Sequence, residues 1–296
     1  MSDRLNKLIA RIASGKMVLG DGALGTQLQR AGLAFGDCPE EWNVSHPDAV
    51  RCVASEYIAA GADFCMTNTF GANRYRLMRH GYADRLREFN VAGVRLSREA
   101  AERSDAVVIA SVGPTGEFVQ PEGMLSAQEM RAAYREQMNV LKEAGADAVC
   151  IETMYVAEEA ALAVEAAKEV GLYCIASVTF DSTKQGFKTM VGASIREAVE
   201  AVDRAGADVI GSNCGNGIAE MTAIAREMRP LTRKPLLIKS NAGMPEMIDG
   251  NAVYNDTPET MSGWIQELKT VGVSIIGGCC GTTPEHIRRF REEIQK

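Results

Sequence analysis

The sequence predicts a (β/α)8 (TIM) barrel, because short apolar segments recur eight times and stretches with helical spacing separate most of them. The apolar segments are candidate strands and lie at 17–19, 64–66, 106–110, 148–151, 173–178, 209–210, 236–238 and 273–276. Two of the intervening stretches, Ala157–Val170 and Ile195–Arg204, are rich in Ala and Glu. Apolar strands that alternate with helices are typical of a parallel sheet, and eight is the count that closes a barrel.

Four of the candidate strands are preceded by similar sequence segments. The segments AAGADFCMTN, EAGADAVCIET, RAGADVIGSN and TVGVSIIGG each carry a glycine where a left-handed helix cap is expected, shortly before a strand. No Pro/Ser-rich linker or low-complexity segment divides the chain. Residues 1–296 are therefore predicted to form a single barrel domain, and a doubly wound open sheet is the alternative fold.

Composition and charge restrict the function classes. The chain has 296 residues and a net charge of −7, and it shows no basic stripe, so neither nucleic acid nor a membrane is an expected partner. No stretch approaches the roughly 20 apolar residues of a membrane span, and the segment MSDRLNKLIARIASGK is amphipathic rather than signal-like. The eight cysteines lack the density of a disulfide scaffold. We therefore expect a cytoplasmic protein.

Three cysteines form the most informative motif. Cys279 and Cys280 are adjacent in the run GGCCGT, and Cys214 precedes them in SNCGNG. Neighbouring side chains on a strand point to opposite faces, so an adjacent pair rarely fits one packed core, whereas at a strand end both thiolates can reach one ion. Three thiolates would leave zinc with one open position, as in catalytic zinc sites. A vicinal disulfide and inert buried thiols are the alternatives.

The residues after the candidate strands favour the metal site. Each strand is followed by small, polar or cysteine residues, in the segments GDGALGT, TNTFGANR, SVGPTGE, ETM, TFD, SNCGNG, SNAG and GGCCGTTPEH. In a barrel these carboxyl ends share one face, where the active sites of such enzymes lie. Cys214 follows the sixth strand, and Cys279 and Cys280 follow the eighth. Their separation in sequence is therefore no obstacle to a common site.

The motifs DGALGT, TNTF, SVGPTGE, SNCG and GGCCGTTPEH, with the strand end at Glu152, resemble those of the homocysteine S-methyltransferases. The resemblance is to the homocysteine-binding module of cobalamin-dependent methionine synthase in particular, and it runs from about residue 15 to the C-terminus. It implies zinc held by Cys214, Cys279 and Cys280, and a substrate thiol bound to that zinc. The implied reaction is methyl transfer to the thiolate, with homocysteine giving methionine in methionine biosynthesis.

The amino acid end of such a substrate needs its own contacts. The resemblance assigns Asp21 and Glu152 to the substrate ammonium, and the backbone of Gly22–Thr26 is suited to the carboxylate. From the residues alone, Asp21 equally fits a turn or helix cap, and Glu152 an ion pair on the barrel rim. The predicted substrate-binding residues are Asp21, Gly22, Ala23, Thr26, Thr67, Asn68 and Glu152.

The sequence does not specify the methyl donor. The chain ends after the eighth predicted helix, so no cobalamin or folate domain is expected within it. A methyl-corrinoid on a separate protein, or on a polypeptide from which this chain was cut, fits the resemblance, as do S-methylmethionine and S-adenosylmethionine. Betaine is disfavoured, because Gly71 stands where the betaine enzymes carry an aromatic residue.

The thiol and the function class also leave alternatives. The zinc cysteines specify a thiol, and only Asp21 and Glu152 indicate an amino acid. A lyase or aldolase would use a Schiff-base lysine, for which Lys239 near the seventh strand end is available. A non-catalytic zinc or redox-sensing module would use the vicinal cysteines alone.

Overall fold

The computed structural model describes residues 1–248 and 251–296, and an eight-stranded parallel sheet lies at its centre. The barrel strands are β1 (Val18–Leu19), β2 (Phe64–Met66), β3 (Val107–Val112), β4 (Ala148–Met154), β5 (Cys174–Val178), β8 (Val209–Asn213), β9 (Leu236–Ser240) and β12 (Ile275–Gly278). They run in the order β1-β12-β9-β8-β5-β4-β3-β2 around a nearly closed barrel, which confirms the predicted (β/α)8 architecture. Two antiparallel hairpins that the sequence did not indicate are β6 (Asp181–Thr183) with β7 (Gly186–Lys188), and β10 (Glu246–Ile248) with β11 (Asn251–Val253).

Helices lie in the connections between the strands. The predicted helix at Ala157–Val170 has the same bounds in the structure, and the helix that begins at Ile195 ends one residue later than predicted. None of the helices among the described residues is long and apolar enough to cross a membrane. The α-helices are α1 (Asp3–Ala13), α2 (Leu24–Arg30), α3 (Trp42–Ser45), α4 (Pro47–Ala59), α5 (Arg74–Arg79), α6 (Leu86–Ala101), α7 (Ala127–Glu143), α8 (Ala157–Val170), α9 (Ile195–Ala205), α10 (Ile218–Met228), α11 (Pro258–Ser262), α12 (Ile265–Val271) and α13 (Pro284–Gln295).

The amphipathic N-terminal helix covers the amino-terminal end of the barrel. Leu5, Leu8 and Ile12 of α1 are buried and pack with the strand side chains that point into the barrel, such as Val18. The next residue, Leu19, points outward and joins the larger core between strands and helices, as the alternation along a strand requires. Each fully buried side chain of this kind contributes roughly 1.5–3 kcal/mol.

A repeated Gly-Ala-Asp motif begins three of the strands. All four predicted cap glycines have φ between +92° and +104°, which confirms the left-handed caps. Each aspartate of the motif accepts a hydrogen bond from a backbone N–H of the neighbouring strand at 2.8 or 2.9 Å, and each also pairs with a cation. The motif thus ties a helix end to the register of the sheet. These aspartates are Asp63, Asp147 and Asp208.

Two carboxylates complete the seam between β1 and β2, the two ends of the strand order. The N–H of Asp63 donates to the carbonyl of Leu19 at 2.7 Å, and the Asp63 carboxylate accepts from the N–H of Leu19 at 2.8 Å. Further along the seam, the N–H of Met66 donates to the Asp21 carboxylate at 2.6 Å. Side chains therefore supply hydrogen bonds that a strand ladder would otherwise provide.

The seam is stabilised by charge at Asp63. Arg11 and Arg291, from the first and last helices, both approach this carboxylate to 2.8 Å. Burial raises the pKa of Asp63, but hydrogen bonds from Arg11, Leu19 and Arg291 lower it by more, so the pKa lies below its ordinary value. The stability that Asp63 contributes is therefore present above the unfolded-state pKa of about 3.9 and is lost as the pH falls through the lower folded-state pKa.

Replacing Asp63 with asparagine is expected to lower the free energy of unfolding by about 2–3 kcal/mol at pH 7, because three charge-assisted hydrogen bonds are weakened. The difference from the wild type should shrink as the pH falls below about 4, where the carboxyl of the unfolded wild type takes up a proton before that of the folded protein does. Urea denaturation at several pH values measures both effects. The matched control is Asp105→Asn, since Asp105 meets Lys7 only at 3.7 Å and both side chains are exposed. Equal stability of the two variants would contradict the assigned role.

Candidate active site

The carboxyl ends of β8 and β12 bring three cysteine sulfurs together. The sulfurs of Cys214 and Cys280 are 3.9 Å apart, and those of Cys214, Cys279 and Cys280 all lie within 4.8 Å of one another. Within residues 1–248 and 251–296, this is the one group of three or more His, Cys, Asp or Glu side chains placed to hold a metal ion. All eight cysteines are free thiols, so the alternative of a vicinal disulfide is not found.

Strand β9 positions both cysteine segments through its backbone. The N–H of Cys214 donates to the carbonyl of Lys239 at 3.1 Å, and the N–H of Cys279 donates to the carbonyl of Ser240 at 2.7 Å. Cys214 also has a φ of +63°, a left-handed conformation that costs a non-glycine residue roughly 1–2 kcal/mol. The surrounding hydrogen bonds therefore hold the sulfurs together against a local conformational cost.

The glycines of the GGCCGT run make room for close neighbours of the cysteines. A Cβ on Gly278 would lie 2.2 Å from the hydroxyl oxygen of Thr282, and a Cβ on Gly281 would lie 2.2 Å from the ring of Tyr254. Gly281 in addition has a φ of +81°, which glycine adopts without strain. The glycines of this run are therefore required both by the close packing of their neighbours and by the backbone conformation of the turn.

Charge is shared unequally among the three sulfurs. Hydrogen bonds from Cys279 and Cys280 lower the pKa of the Cys214 thiol, and the amide of Asn241 lowers it further. Hydrogen bonding to Cys214, and to a smaller extent the negative charge of Cys214, raise the pKa of Cys279 and Cys280. The cluster alone therefore favours a single thiolate, and full ionisation of the three thiols requires a cation among them.

A cavity of about 370 Å³ opens beside the sulfurs, on the face of the barrel where the strands end. This volume is within the range of small-molecule sites. The charged residues in its wall are Glu40, Glu152 and Lys239. The remaining predicted residues that line it are Gly22, Ala23, Thr26, Thr67 and Asn68.

Glu152 presents a carboxylate to this cavity. Its Oε1 accepts a hydrogen bond from the hydroxyl of Ser111 at 2.5 Å. Burial raises the pKa of Glu152, and the positive charge of Lys239 opposes that rise. No Lys, Arg or His of the described chain lies within the 4.0 Å of an ion pair with Glu152, so the alternative of a rim ion pair is not found.

Asp21 lies behind the cavity wall and pairs with Lys239. The two side chains are only 3% and 4% exposed, and Nζ of Lys239 is 3.0 Å from Oδ1 of Asp21. Burial lowers the pKa of Lys239, but the carboxylates of Asp21 and Glu152 raise it by more. The amine is therefore a cation rather than the neutral nucleophile that a Schiff-base lysine requires, which disfavours the aldolase alternative.

The predicted loop after β1 is fastened to the cysteine segment. The N–H of Ala23 donates to the hydroxyl of Thr282 at 3.0 Å, and the hydroxyl of Thr26 accepts from the N–H of Gly281 at 3.1 Å. A Cβ on Gly22 would lie 2.7 Å from the Thr282 hydroxyl oxygen. The loop thus forms one wall of the cavity and holds the turn that carries two of the cysteines.

Thr67 and Asn68 form another part of the cavity wall, and their polar groups make hydrogen bonds within the protein. The hydroxyls of Thr67 and Thr69 are 2.6 Å apart, and the amide of Asn68 donates to the carbonyl of Pro39 at 2.6 Å and to Asn43 at 2.9 Å. Both residues line the cavity as predicted. Their hydrogen bonds order the loops that enclose it.

The sequence analysis did not identify Ser111 and Tyr254 as residues of the site, and it did not predict the ion pair of Lys239 with Asp21. Ser111 points into the barrel, and strand alternation from the buried Ile109 was an available signal for it. Tyr254 packs beside the cysteine turn and follows a hairpin that no sequence pattern indicated. Lys239 was considered only as a nucleophile, because no sequence pattern showed that it meets Asp21.

A family model described as homocysteine S-methyltransferase matches residues 18–294. The chain belongs to the homocysteine S-methyltransferase family. Methionine synthase of Mycobacterium tuberculosis (strain ATCC 25618 / H37Rv) is 34% identical over 306 residues, and that of Mycobacterium leprae (strain TN) is 33% identical over 304 residues. The matches cover 96% and 95% of this chain but 25% and 24% of those proteins, so the family member described here spans about a quarter of their length.

A solved structure shares the fold of this homocysteine S-methyltransferase family member along its whole length. The metallated form of the homocysteine methyltransferase MmuM from Escherichia coli has a TM-score of 0.80, with 98% of this chain and 99% of that chain covered. The sequence identity is 23%, so this match bears on the fold alone. The family predicted from the sequence motifs, and with it the S-methyltransferase class, is confirmed by the family model.

Proposed function

We propose that this protein is a zinc-dependent methyltransferase that methylates the thiol of homocysteine to give methionine. The convergence of Cys214, Cys279 and Cys280 beside a cavity with a free carboxylate carries the proposal. Family membership supports it, as do the relatives named methionine synthase and homocysteine methyltransferase. The three cysteines would be the metal ligands, and Glu152 would bind the substrate.

The donor set fits zinc. In tetrahedral coordination with zinc–sulfur bonds of about 2.3 Å, ligand sulfurs lie roughly 3.8 Å apart, and Cys214 and Cys280 are separated by 3.9 Å. Three thiolates within 4.8 Å of one another repel, so a cation among them would favour their full ionisation. The E. coli neighbour that shares the fold is itself described in a metallated form. Bound zinc would favour the thiolate form of a substrate thiol.

The protein side chains would bind and orient the substrate. Glu152 would accept hydrogen bonds from the substrate ammonium while Ser111 holds Oε1 of its carboxylate in place. The described cavity wall contains no histidine, which fits a mechanism in which the thiol proton is lost on binding rather than to a general base. The loop at Gly22–Thr26 would close the cavity over the reacting sulfur.

The lengths of the relatives support a methyl donor that is carried by a protein. The chain spans about a quarter of the two methionine synthases that it matches, and its motifs resemble those of the homocysteine-binding module of the cobalamin-dependent enzyme. We therefore propose a separate methyl-corrinoid protein, or a corrinoid domain joined to this barrel, as the donor.

Homocysteine binding to the zinc-loaded protein is expected to release about one proton near neutral pH, because the free thiol has a pKa of about 8.5 or above. Calorimetry in two buffers of different ionisation enthalpy counts this proton. X-ray absorption should show a fourth sulfur around the zinc. Homocysteine binding without proton release, at a zinc that keeps three sulfurs, would contradict the proposed activation of the thiol.

A donor panel then tests the reaction. Zinc-loaded protein with homocysteine should form methionine from a methyl-corrinoid, and S-methylmethionine and S-adenosylmethionine are the comparison donors. Formation of methionine from either comparison donor alone would overturn the corrinoid part of the proposal. Zinc binding without any thiol binding would favour a non-catalytic zinc module instead.

A further inference from the structure

Asn213, the last residue of β8, places a completely buried amide beside the cysteine sulfurs. Its Oδ1 accepts hydrogen bonds from the N–H of Thr153 at 2.9 Å and from the hydroxyl of Ser177 at 2.6 Å. Its Nδ2 donates to the hydroxyl of Thr153 at 2.8 Å and to the sulfur of Cys279 at 3.8 Å. One side chain therefore joins β4, β5 and the cysteine segment that follows β12.

The partners of this amide determine its orientation. A backbone N–H can only donate a hydrogen bond, so the amide oxygen must face the N–H of Thr153. The NH2 group then points toward the Thr153 hydroxyl and the Cys279 sulfur, which take one hydrogen each. Hydrogen bonds shorten when the acceptor is ionised, so the contact with Cys279 is expected to tighten when this thiol becomes a thiolate.

The same amide lies between two strained backbone positions. Among the described residues, Thr153 with a φ of +59° and Cys214 with a φ of +63° are the two non-glycine residues at positive φ. Asn213 bonds to the backbone and the side chain of Thr153, and it directly precedes Cys214 in the chain. Strained residues of this kind persist only where their surroundings over-determine them, and they cluster at functional sites.

We propose that Asn213 is a positioning residue of the metal centre, which orients Cys279 and takes up part of the charge of its sulfur through a hydrogen bond. This inference rests on the proposed function, in which the three cysteines hold zinc. Residues that hydrogen-bond to metal ligands orient the ligands and tune the metal. Three thiolates carry more negative charge than one zinc ion neutralises, so a donor at one sulfur reduces their mutual repulsion.

Removal of the donor is expected to weaken the metal site. Asn213→Ala should bind zinc roughly 10- to 100-fold more weakly than the wild type, the range for loss of a residue that supports a metal ligand. Competition with a chelator of known zinc affinity measures the change. Ser177→Ala is the matched control, because it removes a hydrogen bond from the same buried amide but none from a sulfur. Equal losses in the two variants would indicate a general structural effect and overturn the proposal.

The absorption spectrum of cobalt-substituted protein separates a bond to the sulfur from structural support. The energy of the sulfur-to-cobalt charge-transfer band depends on the charge that each thiolate can donate to the metal. Loss of the N–H donor at Cys279 should move this band to longer wavelength in Asn213→Ala, whereas Ser177→Ala should keep the wild-type band. An unshifted band in Asn213→Ala with cobalt bound would overturn the proposal.

A second variant keeps the test decisive if Asn213→Ala does not fold. Asn213→Asp has nearly the same size and retains an oxygen for the Thr153 N–H and the Ser177 hydroxyl. An ionised carboxylate has no hydrogen to donate to Cys279, and its charge repels the thiolates. Zinc binding should therefore weaken at least as much as in Asn213→Ala, and circular dichroism checks the fold. Wild-type zinc affinity in Asn213→Asp would overturn the proposal.

The outcomes separate this inference from the function on which it rests. If the wild-type protein binds no zinc, the proposed function fails, and the inference fails with it. If the wild type binds stoichiometric zinc and the Asn213 variants keep its affinity and its cobalt spectrum, the inference alone is overturned.

Discussion

Replacing Cys214 with serine is expected to weaken zinc binding by more than about 100-fold and to abolish methyl transfer while the barrel stays folded. Loss of a residue that merely supports a metal ligand costs about 10- to 100-fold, and Cys214 would be a ligand itself. Its sulfur lies 3.9 Å from that of Cys280 at the strand ends, outside the apolar core. Zinc content after dialysis and circular dichroism measure the two effects.

Two further variants make this test specific. Cys52→Ser changes an exposed cysteine on α4 and should keep full zinc content. Cys214→Asn places a residue that tolerates positive φ at a backbone φ of +63°, so the loss of metal should persist without added backbone strain. If Cys214→Ser retained stoichiometric zinc, the three-cysteine site would be wrong.

Replacing Glu152 with glutamine is expected to weaken homocysteine binding by about 2–4 kcal/mol, which is roughly a 30- to 1000-fold rise in the dissociation constant. The glutamine keeps the size of the side chain and its contact with Ser111, but it removes the charge that would face the substrate ammonium. Calorimetric titration of the zinc-loaded protein measures the change. Zinc content should stay the same, because Glu152 is not among the clustered sulfur ligands.

The test of Glu152 has two controls, one a variant of another glutamate and the other a thiol without an ammonium group. Glu158→Gln alters an exposed glutamate in the first turn of α8 and should leave homocysteine affinity unchanged. The thiol 4-mercaptobutyrate has no ammonium, so Glu152→Gln should not weaken its binding. An equal loss of affinity for 4-mercaptobutyrate and homocysteine would show that the variant disturbs the cavity rather than a charge contact.

The barrel could be predicted from the sequence because its determinants are local. Apolar segments of strand length, helical spacing between them and the cap glycines before the strands each act within about ten residues. The bounds at Ala157–Val170 and the four positive-φ glycines agree with that analysis. The hairpins β6–β7 and β10–β11 were missed, since none of their three-residue strands is a continuous apolar segment, whereas the comparably short strands β1 and β2 are.

The candidate site was predicted in part for a related reason. Cys214, Cys279 and Cys280 lie in short motifs that follow strands, and the barrel topology brings strand ends together. Asp21 and Lys239 form an ion pair although they are far apart in sequence. The sequence around a single charged residue does not show which residue it pairs with. Asp21 was therefore predicted to bind the substrate, whereas in the structure its carboxylate pairs with Lys239, and Lys239 rather than Asp21 is among the residues that line the cavity.

The way in which β9 holds the cysteines has a consequence for protein engineering. Strand β9 fixes Cys214 and Cys279 through the carbonyl groups of Lys239 and Ser240, and a carbonyl is the same for every amino acid. The side chain at position 239, by contrast, points into the cavity. A small library at position 239, with Asp21 varied alongside it, is therefore expected to change the wall of the cavity while the backbone contacts that hold the cysteines stay in place.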